Sequence, residues 1–160
     1  MTERYDPEQI VAQLRKRNLT VATAESLTAG MLSSTLAEVS GASAVLHGGV
    51  VAYNNAIKHR LLGVFADTLA ARGAVDAETA KQMARGARDR LCTDLGIATT
   101  GVAGPEPSEG KAVGIVFIAL ATPDGTYAKL LRFAGNRENI RRSTVAACLK
   151  LMAEWAEQRG

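Results

Sequence analysis

The chain has little that could hold it together covalently. Cysteine occurs twice in 160 residues, as Cys92 and Cys148, with neither a Cys-x-x-Cys nor a Cys/His cluster. That spacing excludes a disulfide scaffold and a thiolate zinc site, and both thiols are read as reduced core residues within helical segments. Seven aromatic side chains are too few for a base-stacking platform, and a formal net charge of +3 is too small to argue for nucleic acid. No apolar run approaches the roughly 18 residues that a membrane span requires. Residues 1–10 are charged and lack the apolar stretch of a secretory signal, so a cytoplasmic location is the default expectation. Low-complexity tracts and internal repeats are also missing.

What is present is alanine, 28 residues of it, within a composition 47% hydrophobic and 22% charged. A chain of this length buries about 70% of its unfolded surface, enough for one core without metal or cofactor. Small apolar residues favour helices lying close against a sheet. Asp6-Pro7 signals a helix start, with the helix running to about Arg17. Strands are expected over Leu19–Ala24, Gly48–Tyr53, Gly96–Thr100, Val113–Ala121 and Thr126–Phe133. Between them the pattern predicts helices over Thr28–Val39, Asn55–Leu62, Asp67–Ala71 and, capped by Asp76, Ala77 to about Cys92. The turn signal Pro123-Asp124-Gly125 makes the last two strands an antiparallel hairpin. A final helix starts near Asn136 and buries Trp155. Strands alternate with helices early and a hairpin comes late, which defines one three-layer α/β/α domain over residues 1–160 with a mixed, mostly parallel sheet.

In such a sheet, loops beyond the carboxyl ends of the strands collect ligand groups. The first candidate is Ala24-Glu25-Ser26-Leu27-Thr28-Ala29-Gly30, where a strand passes into a helix. Ser26 or Thr28 either caps that helix or, in the case of Ser26, acts as a nucleophile beside unpaired amides. The second is Tyr53-Asn54-Asn55-Ala56-Ile57-Lys58, in which Tyr53 and Lys58 lie about a turn apart. Lys58 is either a surface lysine or, if burial lowers its pKa, a general base. His47 and His59 have no third partner, Gly-x-Ser-x-Gly is absent, and no ligand spacing supports a metal. The third loop, Thr100-Gly101-Val102-Ala103-Gly104-Pro105 through Lys111, is glycine-rich and can form an anion nest, although its spacing is not that of a Walker loop. Lys129, Arg132, Arg137, Arg141 and Arg142 face only Glu138 in their stretch. Either a solvated basic helix face or an anion site follows.

Together these motifs resemble the CinA C-terminal domain family. Ala24-Glu25-Ser26-Leu27-Thr28-Ala29-Gly30 is similar to its A-E-S-C-T-G-G, and Gly41-Ala42-Ser43 to its P-G-S-S region. Gly49-Val50-Val51-Ala52-Tyr53-Asn54-Asn55, with Lys58, resembles G-V-V-x-Y-S-N and K. Thr100 through Pro105 resembles T-G-I-A-G-P, and Phe133-Ala134-Gly135-Asn136-Arg137 resembles F-x-G-D-R. Leu27, Ala29, Asn54, Ala112 and Asn136 stand where the family has Cys, Gly, Ser, Pro and Asp.

The resemblance implies hydrolysis of the carboxamide of nicotinamide mononucleotide to the carboxylate, without cofactor or metal. By that likeness Ser26 is the nucleophile, Lys58 its base and Tyr53 the group that links or orients them. Thr28, Gly30, Gly101, Gly104, Arg137 and Arg141 would hold the nucleotide, the arginines by bidentate contact with its phosphate. Amides at the start of the second helix would hold the oxyanion. The alternative is a nucleotide-binding module of the same family without hydrolysis. The implied partner is a small-molecule nucleotide, with neither nucleic acid nor membrane expected, and a homo-oligomer is compatible with the chain.

Overall fold

A computed structural model describes residues 5–160. The elements follow one another as α1 (Pro7–Lys16), β1 (Val21–Glu25), α2 (Met31–Ala37), β2 (Leu46–Val51), α3 (Asn55–Leu62), α4 (Ala66–Arg72), α5 (Ala77–Arg90), β3 (Leu95–Gly101), β4 (Ile115–Thr122), β5 (Gly125–Arg132) and α6 (Arg137–Glu157). The capping residues explain several boundaries. Asp6, Asn54, Asp76 and Asn136 each accept a hydrogen bond from an amide of the turn they precede, satisfying a donor that the helix cannot.

The five strands form one sheet in the order β2-β1-β3-β4-β5. β1 pairs parallel with β2 and β3, whereas β3–β4 and β4–β5 are antiparallel. The sheet is therefore mixed, as expected. Four strands share a direction and β4 runs against them, although its two ladders make the pairings divide evenly between parallel and antiparallel.

Period-two alternation sorts the strand residues between two cores. Val21, Leu95, Ile97, Val116 and Ile118 pack with residues of α1, α2 and α6. Ala22, Ala24, Ala98, Ala119 and Ala121 face α3, α4 and α5. The alanines thus occupy one layer, where they let helices approach. A Cβ on Gly96 would lie 2.1 Å from the Ala84 carbonyl of α5, and one on Gly86 would lie 1.8 Å from the Leu62 carbonyl of α3. No larger residue fits either position.

Two expectations are corrected. α2 begins at Met31 and not at Thr28, because Ala29 and Gly30 hold left-handed φ values of +47° and +98° that a helix cannot contain. Cys92 is exposed just beyond the end of α5, at a φ of +53°, while Cys148 is buried in α6 as expected.

Candidate active site

Because β1, β2 and β3 are parallel, their carboxyl ends meet at one edge of the sheet, and the three candidate loops leave from that edge. After β1 the chain passes to α2 on one face, and after β2 to α3 on the other, which opens a crevice between the loops. A cleft of about 490 Å³ lies there, lined among others by Ser26, Tyr53, Lys58, Gly101, Gly104 and Arg137.

Ser26 is the first residue beyond β1. Its amide donates to the Thr99 carbonyl at 3.0 Å and to Thr99 Oγ1 at 3.3 Å, so the adjacent strand β3 fixes where its side chain begins. Lys58 approaches from the first turns of α3. Its Nζ donates to Ser26 Oγ at 2.9 Å and to the Ala52 carbonyl at 2.8 Å. The side chain is 1% exposed, which is rare for lysine unless its amine is held as this one is. Burial lowers its pKa from 10.5 to about 8, against an opposing contribution from the Glu109 carboxylate. Part of the population therefore carries an uncharged Lys58 amine near neutral pH. A serine hydroxyl within hydrogen-bond reach of such an amine has the spacing that a nucleophile and its base require.

The remaining candidates separate into two groups. Gly101, Gly104 and Arg137 line the cleft beside the serine and lysine. Tyr53 lines it too, but its hydroxyl accepts from Arg137 Nη2 at 2.6 Å and makes no bond to Ser26 or Lys58. Arg137 Nη1 donates to the Gly104 carbonyl at 2.7 Å, so one guanidinium joins the loops after β2 and β3. Thr28, Gly30 and Arg141 lie outside the lining. Thr28 is buried, with its hydroxyl on Thr99 Oγ1 at 2.8 Å, and Gly30 supplies the left-handed turn into α2. Arg141 donates to the carbonyls of Leu27 and Thr28 at 2.9 and 3.2 Å. These three residues hold the serine loop from beneath.

The amides at the start of α2 are occupied. Glu25 Oε1 accepts from Leu32 at 2.8 Å, and Oε2 accepts from the amide of Ser33 at 3.0 Å and from its hydroxyl at 2.8 Å. An oxyanion site at those helical amides is therefore ruled out. The amides of Leu27 and Thr28, directly after the serine, carry no hydrogen bond among the described residues. Sequence patterns alone missed Glu25, Thr99 and Glu109. Glu25 closes a strand and caps a helix six residues on, a pairing outside the usual capping spacing, and the other two act across the fold.

A three-layer α/β domain with a serine and a buried lysine at its parallel strand ends is the class that fold and site define. The chain belongs to the CinA C-terminal domain family, whose model matches residues 5–156. It is similar to a Desulforamulus reducens protein carrying a competence-damage inducible name, 52% identical over 145 residues that make up 90% of this chain and 35% of that protein. It is also 47% identical to the CinA-like protein of Frankia casuarinae over 143 residues, 89% of this chain and 33% of the relative. The chain thus spans about a third of the length of these curated relatives. Among solved structures, the competence/damage inducible protein CihA from Agrobacterium tumefaciens is 36% identical with a TM-score of 0.86, covering 93% of this chain and 94% of its own. A CinA superfamily protein from Klebsiella pneumoniae has a TM-score of 0.93 at 29% identity, covering 98% and 99%.

Proposed function

We propose that this domain hydrolyses the carboxamide of nicotinamide mononucleotide to nicotinate mononucleotide and ammonia. The observation that carries the reading is the 2.9 Å contact between Ser26 Oγ and the buried Lys58 amine. The family resemblance supplies the substrate. A cleft that sets Arg137 beside the acidic Glu106 and Glu109 suits a ligand with a positive ring and a negative phosphate.

In this mechanism the uncharged Lys58 amine takes the Ser26 proton as Oγ attacks the amide carbon. The Leu27 amide, free of any hydrogen bond among the described residues and on a residue that lines the cleft, receives the developing oxyanion, and its fixed dipole stabilises it better in a partly enclosed cleft than water would. The Lys58 ammonium then protonates the leaving nitrogen, the C–N bond breaks and ammonia departs. Water attacks the resulting ester, giving one proton to Lys58. That proton returns to Ser26 as the C–O bond breaks, and the carboxylic acid so formed loses water's second proton to solvent and leaves as the carboxylate. The steps as written call on side chains of this chain alone, and among the described residues no group of three or more His, Cys, Asp and Glu is placed to hold a metal ion. A cytoplasmic setting, where pyridine nucleotides are available, belongs to the same reading. Among the described residues no helix is long and apolar enough to cross a membrane.

Ammonia release from nicotinamide mononucleotide tests this directly. Ser26→Ala is expected to lower it by roughly a thousandfold or more while the nucleotide still binds. If parent and variant are equally inert and both bind the nucleotide, the domain is a binding module without turnover.

A further inference from the structure

Glu109 occupies an unusual backbone position. Ser108 and Lys111 exchange both backbone hydrogen bonds, at 3.1 and 2.8 Å, and the two residues between them, Glu109 and Gly110, hold φ values of +54° and +71°. Two successive left-handed residues make the tight hairpin turn whose first position Asn, Asp or Gly ordinarily fills. A glutamate there carries backbone strain that a glycine would not. The turn aims its carboxylate back at the connection between α4 and α5, where Oε1 accepts from the Ala74 amide at 3.0 Å and Oε2 from the Val75 amide at 3.1 Å. Gly73 leaves room for this approach, since a Cβ there would lie 2.5 Å from Oε2.

These contacts pin a negative charge in the wall of the cleft that holds Ser26 and Lys58. Its field reaches the reacting groups, because this carboxylate acts electrostatically on the Lys58 amine. Lys111 Nζ lies 4.0 Å from Oε2 and balances part of that charge. The two amide bonds leave the carboxylate further acceptor capacity toward the cleft.

We propose that Glu109 is a specificity-determining residue that selects substrates whose amide is borne on a cationic ring, a pyridinium in preference to an uncharged heterocycle of the same shape. This rests on the nicotinamide-nucleotide reading above and deepens it. A positive ring entering the cleft gains Coulomb attraction that a neutral ring does not, and low-dielectric walls focus that difference.

The test measures binding to the Ser26→Ala protein, which cannot turn its ligand over. The two ligands are nicotinamide mononucleotide and its 1,4-dihydro form, which differ in the charge of the ring. Ser26→Ala is expected to prefer the pyridinium form by about tenfold, and adding Glu109→Gln should remove that preference by weakening the pyridinium form alone. Glutamine keeps an oxygen for one of the two amides, and the melting temperature of the double variant reports any loosened loop separately. Equal weakening of both ligands, or none, would overturn the proposal and leave Glu109 as a brace between loops. If Ser26→Ala binds neither nucleotide, the amidohydrolase reading fails and this inference falls with it.

Discussion

Lys58 is a buried amine whose placement comes at a cost to the fold. Its charged form has been taken out of water without a carboxylate partner in contact, and hydrogen bonds to Ser26 Oγ and the Ala52 carbonyl replace part of its hydration. With its pKa lowered to about 8, the amine is protonated and inert as a base at acidic pH and becomes uncharged as pH rises through that value. The value of kcat/KM for amide hydrolysis should therefore climb about tenfold per unit of pH below 8 and level off above it. A pH–rate profile that is flat between 6 and 9 would remove Lys58 from the role of base. The sequence alone could not decide between surface lysine and base at this position. Only the tertiary placement of α3, packed on α5 with Lys58 against Ser26 and Ala52, buries the side chain.

At the scale of an element, α2 depends on a residue outside it. The helix has seven residues, too few to be stable from propensity alone, and its N-cap Gly30 offers no side chain. Glu25, the last residue of β1, supplies the missing cap through three hydrogen bonds to Leu32 and Ser33. Its negative charge also lies at the positive end of the helix. This one carboxylate ties strand, serine loop and helix together, with Ser26 directly following it. Glu25→Gln places an amide nitrogen against donors, so it should lower stability by about 2–3 kcal/mol, as measured by urea unfolding. An unchanged unfolding midpoint would show that α2 is held by packing alone. Ala29 adds to the strain of the same loop, as a non-glycine residue at a φ of +47° where the family has Gly.

For the whole molecule, the site exists because distant segments converge. Arg137, at the first position of α6, bonds to the Tyr53 hydroxyl from the β2–α3 loop and to the Gly104 carbonyl from the β3–β4 loop. An exposed guanidinium held between two loops at a cleft is well placed to exchange those contacts for an anion, because its fork matches phosphate geometry. Arg137→Ala should weaken binding of nicotinamide mononucleotide by about tenfold or more, and leave nicotinamide riboside, which lacks the phosphate, nearly unaffected. Equal losses for the two ligands would assign Arg137 to closing the loops together. Arg141 makes the contrast clear, since one helical turn later its guanidinium is already engaged by the carbonyls of Leu27 and Thr28.

Local chemistry was sufficient for much of the architecture. Asp6-Pro7, Asp76 and Asn136 mark helix starts by satisfying orphan amides. Pro123-Asp124-Gly125 folds a hairpin, and the α3 boundaries at Asn55 and Leu62 follow from the Asn54 cap and the left-handed Gly63. Such signals act within a few residues and are written in the chain. The motifs around Ser26 and Lys58 pointed to a family and, through it, to a chemistry. Tertiary structure decided which charged groups are free to act. Whether Lys58 is buried, whether the α2 amides are occupied by Glu25, and whether Arg137 or Arg141 faces the cleft all depend on contacts between segments far apart in sequence. Burial and electrostatic fields are sums over neighbours that only the folded chain assembles.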